Sequence, residues 1–489
     1  MYSSDDAHRA PFDWKRWVFF SIGVGLFVLV FYSPPWPDAV DPAGRSFILT
    51  HQGKGALALF LLAGTFWVFE VMPIGVTGLL IGVTQALFFI RPAKDAFNDF
   101  MDPSVLFIFG SLTIGMVFTK VGLTKRLACR MLMIVGERTS RIYLGCFVLT
   151  ALLTHIMAHT AVAATMYPLL LTIYSLYTTD TRPTRFGKGL FMGMAFVAGA
   201  GSVITLLGAA RGIVALGFYK EIAGQDVSFF TLSYFMAPMG WLMVFLLWGF
   251  IMLRFKPEEE RIPGLRDKAR QLHDEMGSLS HKEILAALIV LGAILFLSLQ
   301  SFIPALAAFN KSAIILVATI LFFLLKVLDI GDLEGISWNI ILLFAGAMSI
   351  GFCLWQTGAA EWLAINWLGL FQDAHWFVFV MGIAFFILIM TNFIMNVAAI
   401  AISLPVALVV APYLSVSSEV ILFAALATAG MPFLLLVGAA PNAIAYTSGQ
   451  FTSGEFFTSG IPASLLLLAV LGLFILLVWP LMGMPVFLG

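Results

Sequence analysis

Charge is scarce in this sequence. Its 489 residues include 27 Lys plus Arg and 27 Asp plus Glu, 11% in all, against 61% hydrophobic residues. A water-soluble chain has roughly a quarter of its residues charged and about half apolar. The shortage excludes a soluble enzyme, a nucleic-acid-binding protein and a disordered chain. Basic residues are missing altogether after Lys326, so the C-terminal third of the chain has none. Cysteine is nearly absent as well. Cys129, Cys146 and Cys353 sit in or beside apolar segments, which excludes a disulfide framework. A cleavable leader is also lacking. Arg9, Lys15 and Arg16 mix with Asp5, Asp6 and Asp13, and the apolar run from Trp17 to Phe31 leads into Pro34, Pro35, Trp36 and Pro37 instead of a small-residue cleavage site. That run reads as a retained first span.

What the sequence does have is apolar stretches near the roughly 20 residues that cross a bilayer, recurring along its whole length. They predict an all-α membrane protein with about 11 transmembrane helices and two re-entrant hairpins. The hairpins are expected at 104–119 and 338–355, which are too short or too glycine-rich to cross a hydrocarbon layer of about 30 Å alone. The only long polar stretch, 254–283, carries Pro257 and Pro263 and reads as a linker. The expected organisation is therefore an N-terminal segment, first span and loop at 1–54, a first repeat at 55–253, a cytoplasmic linker at 254–283 and a second repeat at 284–489.

The repeat is visible in the residues. PSVLFIFGSLTIGMVFTKVGL, THIMAHTAVAATMYPL and ITLLGAARGIVALGF in the first half answer SWNIILLFAGAMSIGFCLWQTGA, TNFIMNVAAIAISLPV and FLLLVGAAPNAIAYTSG in the second. Gly110 pairs with Gly346, His159 with Asn396, Pro168 with Pro405 and Gly208 with Gly438, at offsets of 236, 237, 237 and 230. Charge sets their relative orientation. After the first-half segment come Lys120, Lys125, Arg126, Arg130, Arg138 and Arg141, while the matching stretch from Thr357 to His375 has no Lys or Arg. Basic loops stay in the cytoplasm, so equivalent loops lie on opposite sides and the repeat is inverted. The N-terminus is then cytoplasmic and the protein sits in the inner (plasma) membrane.

Inverted repeats bring broken helices together near the midplane, where freed backbone groups hold a solute and its coupling ions. The breaks are expected where small and polar residues interrupt apolar runs: Ala158-His159-Thr160, Gly199 to Gly201 with Gly208 to Gly212, Met395-Asn396-Val397 and Gly438 to Asn442.

These features resemble the divalent anion:sodium symporter family of the ion-transporter superfamily. The resemblance rests on LFIFGSLTIGM and ILLFAGAMSIG, on paired Ser-Asn-Thr-like signatures followed by an Ala-rich run and a proline, on paired Gly-Thr-x-Pro-Asn-like turns, and on EVMPIGVTGLL. It covers roughly residues 55–480. It implies a homodimer whose transport domain moves like an elevator, with a small anionic substrate and Na+ as the coupling ion. No other cofactor and no metal site is implied. On this resemblance the substrate lies against Ala158, His159, Thr160, Arg211, Met395, Asn396, Val397 and Pro441. The ion is held by Asn396, Asn442, Gly438, Ala439, Ser202, Thr205 and Gly208. Neutral oxygens suit sodium, and helix N-termini suit an anion.

The sequence departs from the family pattern at the tips. Ser-Asn-Thr is replaced by Ala158-His159-Thr160 and by Met395-Asn396-Val397, and Arg211-Gly212 stands where Pro-Asn is expected, whereas Pro441-Asn442 is kept. Arg211 is the only Lys or Arg between Lys188 and Lys220. Either it snorkels from the end of a span, or it supplies a fixed positive charge in place of a bound sodium and makes a bidentate contact to an oxyanion. His159 is either a hydrogen-bonded helix residue or a second cation and proton-coupling group. A His155–His159 metal pair lacks a third ligand. The reading is a secondary transporter of a dicarboxylate, sulfate or sulfonate with reduced or altered sodium coupling. A cation/proton antiporter or metalloid exporter of the same superfamily, and a transport-inactive receptor-like homologue, are the alternatives.

Overall fold

The computed structural model describes residues 14–40, 46–178, 182–371 and 375–487. Most of the expected cytoplasmic N-terminal segment, 1–13, lies outside them. Apart from a two-stranded ribbon pairing Ala39–Val40 with Ser46–Phe47, the described chain is helical. It opens with α1 (Trp14–Phe31), α2 (His51–Val68), α3 (Ile74–Leu87), the short α4 (Ala93–Asn98), α5 (Pro103–Lys120) and α6 (Leu123–Val135). Then come α7 (Thr139–Thr154), α8 (His159–Tyr177), α9 (Arg185–Gly201), α10 (Arg211–Ala223) and α11 (Phe229–Arg254). The polar stretch contains α12 (Leu265–Glu275). Beyond it lie α13 (His281–Leu299), α14 (Pro304–Ala307), α15 (Lys311–Leu324), α16 (Ile330–Glu334), α17 (Trp338–Gln356) and α18 (Ala359–Phe371). The chain closes with α19 (Trp376–Phe393), α20 (Asn396–Val410), α21 (Ser418–Ala429), α22 (Ala440–Tyr446), α23 (Ser453–Leu473) and α24 (Trp479–Leu481).

Helix ends follow from local chemistry. Asp102 caps α5 through Ser104 N and Pro103 follows it at the first helical position, where a missing N–H costs nothing. Ser280 with Glu283, and Thr452 with Glu455, form reciprocal capping boxes on α13 and α23. Nine helices among the described residues are long and apolar enough to cross a membrane, fewer than the eleven expected. The nine include α5 and α17, while α3, α7, α15 and α21 are apolar but only 14, 16, 14 and 12 residues long.

The segments expected to be re-entrant hairpins are not hairpins. They are α5 and α17, continuous helices of 18 and 19 residues. Their glycines serve close helix packing. A Cβ on Gly346 would fall 2.3 Å from the Gly78 Cα of α3, and one on Gly110 would fall 2.4 Å from Ile315 Cγ2 of α15. Each equivalent helix thus packs on a helix of the other half: α17 on α3, and α5 on α15.

The hairpins lie one element later. Tyr143 at the start of α7 and Tyr177 at the end of α8 both pack on Phe186, with ring centroids 5.1 and 4.3 Å away. The feet of the two helices therefore share one end, and residues 155–158 form the far tip. The second half repeats this arrangement. Trp376 at the start of α19 lies 5.1 Å from the Phe487 ring, and Val416, just past α20, bridges to the same Phe487. Residues 394–395 form that tip. Each hairpin is followed by a broken helix: α9 and α10 are separated by 202–210, and α21 and α22 by 430–439.

Candidate solute site

Each hairpin tip is stitched to the break of its own half. His159 N donates to Gly208 O at 3.0 Å, and Thr205 Oγ1 donates to His155 O at 2.8 Å. In the second half Asn392 Oδ1 accepts from the N–H groups of Leu434 and Leu435, at 2.8 and 3.1 Å. Thr391 Oγ1 donates to Ala429 O, and Asn442 Nδ2 donates to Pro432 O and Leu435 O. Unwound backbone at this depth survives because these side chains satisfy it.

Between the stitched pairs lies a cavity of about 600 Å³. Ala158, His159 and Thr160 line it from one side, and Met395, Asn396 and Val397 from the other. Ala209, Ala210, Gly438, Ala439 and Ala440 bring in the two breaks, and α5 and α17 close the wall with Met116, Ile340 and Phe344. The N-cap residues Ala158 and Met395 make no side-chain cap at the cavity; His159 N of α8 is taken by Gly208 O, and the N–H groups that follow it in the first turn of α8, like those of α20, have no side-chain partner from their N-cap. Asn396 is 6% exposed, and its Nδ2 has no hydrogen-bond partner.

Several residues expected at the solute or ion do not line this cavity. Arg211 is 2% exposed and lies outside the lining, so it neither snorkels to an interface nor touches a solute in this cavity. Its side chain turns back to Ser202 Oγ, 2.8 Å from Nη2. Pro441 and Asn442 are buried behind Ala440, outside the lining. Ser202, Thr205 and Gly208 are spent on the packing and hydrogen bonds of the first break, Ser202 Oγ donating to Gly199 O at 2.7 Å. His159 holds its Nδ1 3.3 Å from Gly208 O. His155 packs edge-on to Trp241 at 5.5 Å.

Other residues at the cavity escape a reading of the sequence. Lys120, Thr119 and Thr165 reach it from α5 and α8, and Asp332 and Ser337 from the approach to α17. Lys120 Nζ pairs with Asp332 and, at 2.9 Å, with Asp329. The Lys120 hydrogen bond, helped by the Asp332 N–H, holds the Asp329 carboxyl below its usual range. Their only signal was a lysine at the end of an apolar run. Asn392, which braces the second tip, was legible as a second amide four residues before Asn396.

The fold has solved counterparts. The MtrF antimetabolite efflux pump of Neisseria gonorrhoeae aligns over 94% of this chain and 93% of its own, with a TM-score of 0.54 at 12% identity. The YdaH transporter of Alcanivorax borkumensis aligns over 97% and 98%, with a TM-score of 0.51 at 14% identity. In sequence, the sodium-dependent dicarboxylate transporter SdcS of Staphylococcus saprophyticus is 24% identical over 460 residues, covering 90% of this chain and 88% of its own. SdcS of Staphylococcus aureus is 23% identical over 500 residues, covering 96% and 93%. The family model described as the sodium:sulfate symporter transmembrane region matches residues 15–485. With its tips, breaks and cavity in one continuous match, this integral membrane protein belongs to the sodium:sulfate symporter family, a family of transporters and not of enzymes.

Proposed function

We propose that this protein is a secondary transporter of a small dianionic oxyanion, a dicarboxylate in the first place and sulfate or a sulfonate in the second. The observation that carries this is the pair of helix N-termini without side-chain caps, of α8 and α20, meeting at one cavity beside the unpartnered Asn396 amide. A helix N-terminus carries about half a positive charge and several free N–H donors, and both favour a carboxylate or sulfate. Two of them facing one space suit a solute with an anionic group at each end. The dicarboxylate names of the SdcS relatives agree with this chemistry.

The equivalent order of elements supports an inverted repeat, and hence alternating access by exchange of two related conformations. An elevator movement of the hairpins and broken helices against the α3–α17 and α5–α15 pairs, in a homodimer, completes the reading. The N-terminus and the 254–283 linker face the cytoplasm. Sodium, held by Asn396, Asn442 and the Gly438-Ala439 carbonyls, is the coupling ion of the second half, and coupling in the first half is altered.

Uptake into proteoliposomes tests the reading. Labelled succinate should accumulate against its gradient when sodium is imposed outside, and unlabelled sulfate or other dicarboxylates should compete. Absence of flux for every dianion tried, with monoanions or cations carried instead, would overturn it.

A further inference from the structure

Arg211 opens α10, yet its guanidinium points back across the break. Nη2 donates to Ser202 Oγ, which in turn donates to Gly199 O. A Cβ on Gly430 would fall 2.5 Å from Nη2 and 3.0 Å from Cζ, so the guanidinium rests directly on Gly430. Ser202 is the C-cap of α9 and Gly430 is the C-cap of α21. The two helix ends touch, since a Cβ on Gly199 would fall 2.9 Å from Gly430 O. The charge is thus wedged where the C-termini of both broken helices converge, one from each half. Among the described residues no carboxylate pairs with it, and Nη1 has no hydrogen-bond partner.

An unpaired guanidinium at this depth costs several kcal/mol unless the local potential is negative. Here it is. Each helix C-terminus carries about half a negative charge, and half-helix C-termini with unwound carbonyls are where broken-helix transporters hold coupling cations. We propose that Arg211 is a tethered resident cation, occupying the seat between the α9 and α21 C-termini that a free monovalent cation would otherwise fill. Its chain neighbours Ala209 and Ala210 line the cavity. Its charge therefore acts on an anion there without contact, and it is present in every turn of the cycle. The consequence for coupling rests on the anion-transport reading above; the seat itself does not.

Emptying the seat should make it fill from solution. Purified Arg211→Ser is expected to melt lower than wild type by about 5 °C or more in N-methyl-D-glucamine chloride. It should then recover saturably in sodium chloride at matched ionic strength, by more than wild type gains. Arg211→Lys, which keeps a cation in place, should respond no more than wild type, and Arg211→Gln should respond as Ser does, so the comparison survives if the Ser variant fails to fold. In the uptake assay the Hill slope for sodium should rise by one in Arg211→Ser. The proposal is overturned if neutral variants gain no stability from lithium, sodium or potassium beyond wild type, or if Arg211→Lys responds as they do. A wild type that moves no anion would defeat the transport reading, and the melting comparison would still decide the seat.

Discussion

Asn396 keeps an amide nitrogen unpartnered at the edge of the cavity, and a buried polar group left so costs about 1–3 kcal/mol until something pairs with it. That donor is free for a guest. Asn396→Ala is therefore expected to weaken solute binding about tenfold, the equivalent of about 1.4 kcal/mol, with little change in melting temperature. Asn396→Asp, which places a carboxylate facing the anion, should abolish binding. Equilibrium binding of labelled solute to purified protein checks both, and an unchanged Kd in Asn396→Ala would remove the residue from the solute's contacts. At this scale the sequence was informative about position and silent about direction. His159 and Asn396 are conspicuous because they interrupt apolar runs, and both line the cavity. Arg211 is equally conspicuous, but the direction of its side chain depends on Gly430, on another helix of the other half. No local pattern encodes a contact so distant in the chain.

Helix pairs tell the same story one level up. A short glycine-rich apolar run has two physical meanings, a turn within the membrane or a helix whose backbone must approach a neighbour closely. Gly110 and Gly346 have the second meaning, and the hairpins lie one element later than their glycine-rich runs suggest. The Gly78–Gly346 contact expresses this packing, with the Gly78 Cα 2.3 Å from where a Gly346 Cβ would stand. Gly346→Val would drive a branched side chain into the α3 backbone, with no flexible group able to yield. The expected loss is about 3 kcal/mol or more, seen as a melting midpoint lower by roughly 6 °C or more and as a drop in folded yield on size exclusion. Gly25, where a Cβ meets nothing within 4 Å, provides the control, and Gly25→Val should melt like wild type. Equal melting of the two variants would mean that α17 does not need this approach.

For the whole molecule, the two ends of α5 belong to two cavities. Its C-terminal half lines the solute cavity as far as Lys120, and α6, which follows directly, is tied to the polar linker by Arg126, whose Nη1 donates to Gly277 O at 2.8 Å. The Lys120 end of the cavity therefore lies toward the linker. At the other end of the helix, about 27 Å away at 1.5 Å per residue, Asp102 and Ser104 line a second cavity of about 510 Å³ with Lys220, Asp226, Ala308 and Lys311. Alternating access exposes the tips to one face at a time, and the Lys120 end of the cavity puts the linker face forward as the open one in this conformation. Cys129, Cys146 and Cys353 are all buried, so the native background for thiol labelling is low. Thr165→Cys in the solute cavity should then react with a membrane-impermeant maleimide from the same side as Ser278→Cys in the linker, and Ala308→Cys only from the opposite side. Saturating solute should slow labelling at Thr165→Cys several-fold and leave Ser278→Cys unchanged. Because basic loops stay inside, the Ser278 side is expected to be cytoplasmic in intact cells. Labelling of Thr165→Cys from the Ala308 side alone would reverse the assignment of the open face and place this conformation in the other half of the cycle.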